Sequence, residues 1–374
     1  MLFYLSELKE FFGPFNVFHY ITPRAGGACL TSFLLSLLMG NFVIRKLTEL
    51  KIGQPIRTAD EVHKLAALHE GKGGTPTMGG VLILATVLIS TLLWAKPTSP
   101  FIWVLWFTAI VLGLLGFRDD YLKVAKKNAK GVSARGKLAA QLLTAIIAGG
   151  VLYFYPGTHE YMSDIRLPML KTPLEPEAWF GTIIAAIIML GFFITIIVGS
   201  SNAVNLTDGL DGLAIGCTII ASMTFAIFSY VAGNENFASY LSELPHHPDA
   251  GEVAVFCMAI VGAGVGFLWF NCHPARIFMG DTGSLSIGGL LGVIAISSRQ
   301  EFMLIVVGGV FVMEAVSVIL QVGSFKLRGK RIFKMAPIHH HFELKGWKET
   351  KVIVRFWILA IMFALAGLAT LKIR

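Results

Sequence analysis

The sequence predicts an all-α polytopic membrane protein with about ten transmembrane helices, on three observations. Of its 374 residues 55% are hydrophobic and only 14% charged, whereas an ordinary soluble domain carries roughly 25% charged residues. Mean hydropathy is +0.70, too high for a fold that buries one apolar face and wets the other. The apolar residues also come in runs near the ~20 residues that cross a bilayer as a helix. A membrane β-barrel would instead alternate apolar and polar residues over about ten positions, and segments such as Phe302 to Phe311 are apolar on every side. A soluble enzyme and a barrel are both excluded.

In chain order, residues 1–24 carry Glu7, Lys9 and Glu10 inside an apolar run. Such charges rule out the h-region of a cleavable signal peptide and predict an interfacial amphipathic segment. Spans are predicted at 25–47, 76–95, 100–117, 138–155, 179–198, 212–231, 253–270, 284–298, 302–325 and 352–371. The segments between them are short, so 1–374 is expected to form a single integral-membrane domain, with 326–351 as a large basic loop. The four cysteines, Cys29, Cys217, Cys257 and Cys272, show no C-x-x-C spacing and are expected to be free thiols.

Charge orients this bundle. Eight of the 31 Lys and Arg residues, namely Lys9, Arg24, Lys96, Arg166, Lys171, Arg299, Lys372 and Arg374, fall at the termini and in one set of alternating loops; the other 23 fall in the opposite set. By the positive-inside rule the basic set is cytoplasmic and both termini lie outside. Topogenic charge and contact with anionic lipid account for most of those bases. They leave unexplained the carboxylates and amides placed among them.

The cytoplasmic segments hold the polar constellations. Lys72-Gly-Gly-Thr75-Pro-Thr-Met-Gly-Gly80 is Gly-rich but lacks the order of a P-loop; it is either a phosphate-contacting loop or simply the start of a span. Asp119 and Asp120 end an apolar run, as a solvated helix stop also would. Neighbours on a helix lie about 100° apart, so the two can share a rim but not easily chelate one ion side by side. Asn202, Asn205, Asp208 and Asp211 recur every three residues, which keeps successive side chains on one helical face, with Gly209 and Gly212 allowing tight turns. Asn271 is followed by Phe278-Met-Gly280-Asp281-Thr-Gly283-Ser, where backbone N–H groups and a helix N-terminus suit a phosphate. Asp281 offers a hard oxygen to Mg²⁺, or caps its helix. His339, His340 and His341 cannot all face one metal, so a zinc site is excluded in favour of a phosphate or proton-handling role or a surface cluster. Glu314 is the one acid well inside a span, and intramembrane acids are functional candidates by default; a neutral carboxyl bonded to a neighbouring helix fits equally.

Acids able to hold Mg²⁺, ringed by cations at a membrane surface, suggest phosphoryl transfer between a soluble nucleotide and a lipid. Asp119-Asp120, the Asn202 to Gly212 stretch, Gly280-Asp281-Thr-Gly-Ser and Pro337-Ile-His-His-His-Phe-Glu343 closely resemble the polyprenyl-phosphate N-acetylhexosamine-1-phosphate transferases. The Lys72 to Gly80 segment and the unbroken triple histidine are similar to the branch of that family whose donor is UDP-MurNAc-pentapeptide. The resemblance covers nearly the whole chain.

What it implies is transfer of phospho-MurNAc-pentapeptide from that donor to undecaprenyl phosphate, giving lipid I and UMP, with Mg²⁺ required. It implies a multi-pass enzyme of the bacterial inner membrane, commonly dimeric, with its active site on the cytoplasmic face and no nucleic-acid partner. By the same resemblance Asp281 holds the metal and Asp119 and Asp120 orient or deprotonate the lipid phosphate. Leu210, Asp211, Asn271 and Phe278 form a uracil pocket, with Asn202, Asn205, Asp208, Lys72 and Thr75 as further substrate contacts. Lys137 and His339 to His341 meet the diphosphate or the sugar. The nearest rival is a sister enzyme that transfers GlcNAc-1-phosphate to the same lipid, against which the triple-histidine segment speaks. A secondary transporter is the rival of another class, and the internal repeat common in transporters is not found.

Overall fold

The computed structural model describes residues 1–50, 74–124, 131–168, 170, 172–241 and 245–372; Lys72 lies outside the described residues. Among these there is no strand. The long helices are α1 (Ile21–Glu49), α2 (Gly80–Trp94), α3 (Pro100–Val124), α4 (Ala134–Phe154), α5 (Pro176–Thr207), α6 (Leu213–Ala232), α7 (Ala250–Asn271), α8 (Gly280–Ser297), α9 (Gly309–Arg328) and α10 (Glu349–Ala369). Nine of them are long and apolar enough to cross a membrane. The exception is α2, whose 15 residues rise about 22 Å, short of the ~30 Å hydrocarbon core.

Helix ends depart from the predicted spans because caps and partners, not apolarity, terminate a helix. α3 continues past its apolar run to Val124 and so carries Asp119 and Asp120 on its last turns. α5 likewise runs to Thr207 and carries Asn202 and Asn205; near its start it is interrupted at Gly181, where φ is +75°. α4 begins where the Ser133 side chain accepts the Gly136 N–H at 3.1 Å. The span expected at 302–325 divides into a short helix, Met303–Val307, and α9. The N-terminal segment is shorter than the predicted 1–24: two 3-10 turns, Leu2–Leu8 and Gly13–His19, precede α1, which already contains Arg24. The basic loop contracts to 329–348 around a short helix, Ile338–Glu343.

α8 is the axis of the bundle, buried at every position from Thr282 to Ser297. It packs between α3 and α5; α7 packs on α1, α2 and α6; α4 lies against α3 and α5, α9 against α5, and α10 against α6. Without a hydrophobic drive between helices in lipid, small residues let backbones close. Gly116 shows this directly: a Cβ there would lie 2.2 Å from the Asp281 carbonyl oxygen, so only glycine lets α3 touch the start of α8. α9 and α10 turn large apolar side chains outward, Ile319, Leu327 and Met362 among them, as a lipid-facing surface requires. The four cysteines are free, although Cys272 is exposed.

The end of the bundle away from the motifs is stapled by charge. Arg24 forks Glu252 with two 2.6 Å bonds. Glu252 also accepts the Lys96 N–H at 2.8 Å, and Lys96 Nζ reaches Asp249 at 2.8 Å. Nearby in kind, Arg299 meets Asp164 at 2.7 Å and Glu301 at 3.2 Å and donates to the Tyr161 and Asp164 carbonyls.

Candidate active site

At the other end, the last turns of α3 meet the first turn of α8. Asp120 is committed to that junction: it accepts the Asp281 N–H at 3.2 Å, the Thr282 N–H at 3.0 Å and the Thr282 hydroxyl at 2.8 Å. A carboxylate on orphan N–H groups at a helix N-terminus is favourable both as a cap and against the helix dipole. Gly280, with φ +73°, lets the chain turn into α8 there.

Asp281 is thereby fixed beside Asp119. Lys137 of α4 bridges them, 2.8 Å from Asp119 Oδ2 and 2.6 Å from Asp281 Oδ2. Lys123, one helical turn beyond Asp119, does the same at 2.6 and 3.2 Å. Asp119 is fully buried and also accepts the Val132 N–H at 2.7 Å. The other oxygen of Asp281 accepts from Asn205 at 2.9 Å, whose amide also donates to Ser284 at 2.8 Å. Ligand oxygens of Asp119, Asp120 and Asp281 all lie within 4.8 Å of one another. Hard oxygen donors that close are the chemistry of a divalent cation site.

The turn after α5 lies alongside. Asp208 follows the last residue of α5, and its carboxyl is pushed up to about 8, first by burial and then by the Asp281 and Asp120 charges, against a bond from the Gly280 N–H. Leu210 is buried. Asp211 accepts from the Ala275 N–H at 3.1 Å and stands 3.1 Å from His273 Nδ1, and its own N–H donates to Glu349 at 3.0 Å. Asn271 braces the same turn, accepting the Gly212 N–H at 3.0 Å and donating to the Ile277 carbonyl at 2.8 Å. Half-buried Thr75 precedes an extended segment in which Pro76 accepts the Phe278 N–H at 2.8 Å and Gly79 donates to the Phe278 carbonyl at 2.8 Å.

Asn202 points elsewhere, donating to Gln141 of α4 at 3.2 Å and to the Val198 carbonyl at 2.8 Å. The histidines divide. His339 is fully buried with Nδ1 3.1 Å from Glu314, and His340 is 2.8 Å from Glu343. His341 Nδ1 accepts the Lys334 N–H at 3.0 Å, and its imidazole lies below the usual range because of burial and the Lys345 and Lys334 charges.

Lys123, His273 and Glu349 escape the motif reading, and Thr282 lies inside a motif without being singled out by it. Lys123 carried a signal, its spacing of four from Asp119 on one helix. The others meet their partners only through tertiary packing.

A helix bundle that gathers carboxylates, shared lysines and a polar turn at one end is a membrane protein with a site suited to anionic groups. The family model described as glycosyl transferase family 4 matches residues 102–299, and a phospho-N-acetylmuramoyl-pentapeptide-transferase signature matches 72–84. Curated relatives named phospho-N-acetylmuramoyl-pentapeptide-transferase are 53% identical over 377 residues in Desulfatibacillum aliphaticivorans and 51% over 375 residues in Methylacidiphilum infernorum (isolate V4). A third, from Koribacter versatilis (strain Ellin345), is 49% identical over 388 residues. In each comparison 100% of both chains is covered. The chain belongs to the phospho-N-acetylmuramoyl-pentapeptide-transferase family.

Proposed function

We propose that this chain transfers phospho-MurNAc-pentapeptide from UDP-MurNAc-pentapeptide to undecaprenyl phosphate, releasing UMP and forming lipid I, at the cytoplasmic face of the bacterial inner membrane. The observation that carries this reading is the full-length similarity to transferases of that name, supported by a site whose charges suit a diphosphate. An oxygen of the lipid phosphate attacks the phosphorus that bears the sugar, and the bond from that phosphorus to the UMP oxygen breaks. The nucleophile is already anionic, so positioning and charge neutralisation carry most of the catalysis.

Lys123 and Lys137 each touch both Asp119 and Asp281, and incoming phosphate oxygens would take over part of that pairing. Asp119 would orient the lipid phosphate, and Asp120, bonded to the α8 N-terminus, would position Asp281. The carboxylates of Asp281 and Asp119 would hold Mg²⁺, an ion that typically binds through one or two carboxylates and substrate phosphates. When bound, the ion would neutralise charge that develops on the phosphoryl oxygens. Leu210, Asp211, Asn271 and Phe278 would receive the uracil, with Asn205, Asp208 and Thr75 toward the diphosphate. The enzyme is expected to act as a homodimer.

The test is UMP release by the purified protein with each donor. Release from UDP-MurNAc-pentapeptide in the presence of undecaprenyl phosphate and Mg²⁺ is expected; release from UDP-GlcNAc alone would replace this reading with that of the sister enzyme.

A further inference from the structure

The buried contact between Glu314 and His339 has no part in the reaction as described. Glu314 lies on α9 within the membrane-spanning region, and both side chains are fully buried. Glu314 Oε2 is 3.1 Å from His339 Nδ1, a charge contact, and no other group among the described residues bonds either ring nitrogen or either carboxylate oxygen. A buried carboxyl in an apolar helix is costly unless it is paired, and the imidazole is the group it meets. The far side of the ring faces the donor-side turn: a Cβ at Gly209 would lie 2.3 Å from His339 Nε2. Acid, imidazole and turn are therefore in line, from the interior of the span to the residue between Asp208 and Leu210.

We propose that Glu314 is a positioning residue that fixes the tautomer and orientation of His339, and that His339 in turn holds the Asp208–Gly209 turn in register for the nucleotide donor. A carboxylate on one ring nitrogen decides which nitrogen keeps its proton and where the other points, as it does for histidines in metal and catalytic sites. The inference rests on the functional reading above for what the turn binds, but not for the pairing itself.

Glu314→Gln keeps size and removes charge. Its kcat/KM for UDP-MurNAc-pentapeptide is expected to fall about tenfold or more, the scale of lost supporting partners, while KM for undecaprenyl phosphate stays within about twofold. Because the two residues act as a unit, Glu314→Gln added to His339→Asn should cost nothing further. Gly209→Ala, which pushes a methyl at the ring from the other side, should reproduce the donor-selective loss. A donor kcat/KM in Glu314→Gln within about twofold of wild type, multiplication of the two losses in the double variant, or wild-type activity in Gly209→Ala would each overturn the proposal. Ring-nitrogen NMR of ¹⁵N-histidine-labelled protein reads the pairing without turnover. The signal that His339→Asn removes should move in Glu314→Gln, and an unmoved signal overturns the pairing. Wild-type protein that releases no UMP would sink the functional reading and leave this signature to decide the pairing by itself.

Discussion

The two ends of the bundle use the same residue types for opposite purposes. At the stapled end Arg24 and Glu252 are buried together and matched fork to fork, and Arg299 is saturated by two acids and two carbonyls. At the site end Lys123 and Lys137 share the same two carboxylate oxygens, and both remain partly exposed, at 34% and 23%. A dedicated bidentate pair, its side chains only 2% and 5% exposed, is closed to a ligand from solvent. Cations that share their acids can redistribute when another anion arrives. Burial of charge alone therefore does not mark the functional region; sharing with access to solvent does.

Breaking the shared set should cost chemistry. Asp281→Asn is expected to abolish turnover, a loss of about 10³-fold or more, because a carboxylate and its charge leave the cation cluster; full UMP release by that variant at limiting Mg²⁺ would refute the assignment. Lys137→Met should lower kcat about 10²-fold, the scale of one lost electrostatic contact to a reacting group, with little change in the thermal midpoint. Arg24→Met sharpens the contrast from the other end. Leaving Glu252 buried beside an empty position costs about 3–5 kcal/mol of stability, read as a lower unfolding midpoint, yet specific activity of the folded protein should be unchanged. Equal activity losses in Lys137→Met and Arg24→Met would erase the distinction.

A finer test lies in Asp208, whose carboxyl is raised to about 8 by burial and by the Asp281 and Asp120 charges. Below that pH it is mostly protonated and can donate to a phosphate oxygen; above it a new negative charge faces an anionic donor. Donor KM in the wild type should therefore rise as pH passes through about 8, and Asp208→Asn should match the wild type near neutrality while losing that rise. A rise that persists in the variant would assign it to another group. The smallest effect is expected at Asn202, which bonds to Gln141 and the α5 backbone and not to the cluster: Asn202→Ala should keep kcat/KM within about threefold.

The fold class and most helices were legible because a bilayer imposes length and apolarity on each span. The ends were not. Asp119 and Asn205 sit on helices that outrun their apolar stretches, since backbone bonding continues wherever side chains find partners. Spacing put Asn202, Asn205 and Asp208 in one series; Asn205 reaches Asp281, whereas the Asn202 amide bonds to Gln141 of α4. The Asp119, Asp120 and Asp281 grouping came from the family resemblance, since spacing alone left a solvated helix stop and an N-cap as alternatives. The division of labour within it was not legible, because only contact with the α8 N-terminus reveals that Asp120 is a cap. His339 and Glu314, 25 residues apart in sequence, gave no local sign of their pairing.

The shortness of α2 has a consequence of depth. Its 15 residues leave about 8 Å of the hydrocarbon slab unspanned, and at its start Pro76 accepts the Phe278 N–H while Gly79 and Gly80 donate to the Phe278 and Met279 carbonyls. Non-helical backbone is tolerated at such a level only where protein or water, not lipid, surrounds it. Here that protein is the start of α8, so α2 enters the bundle bonded to a neighbouring helix and not as a free-standing span.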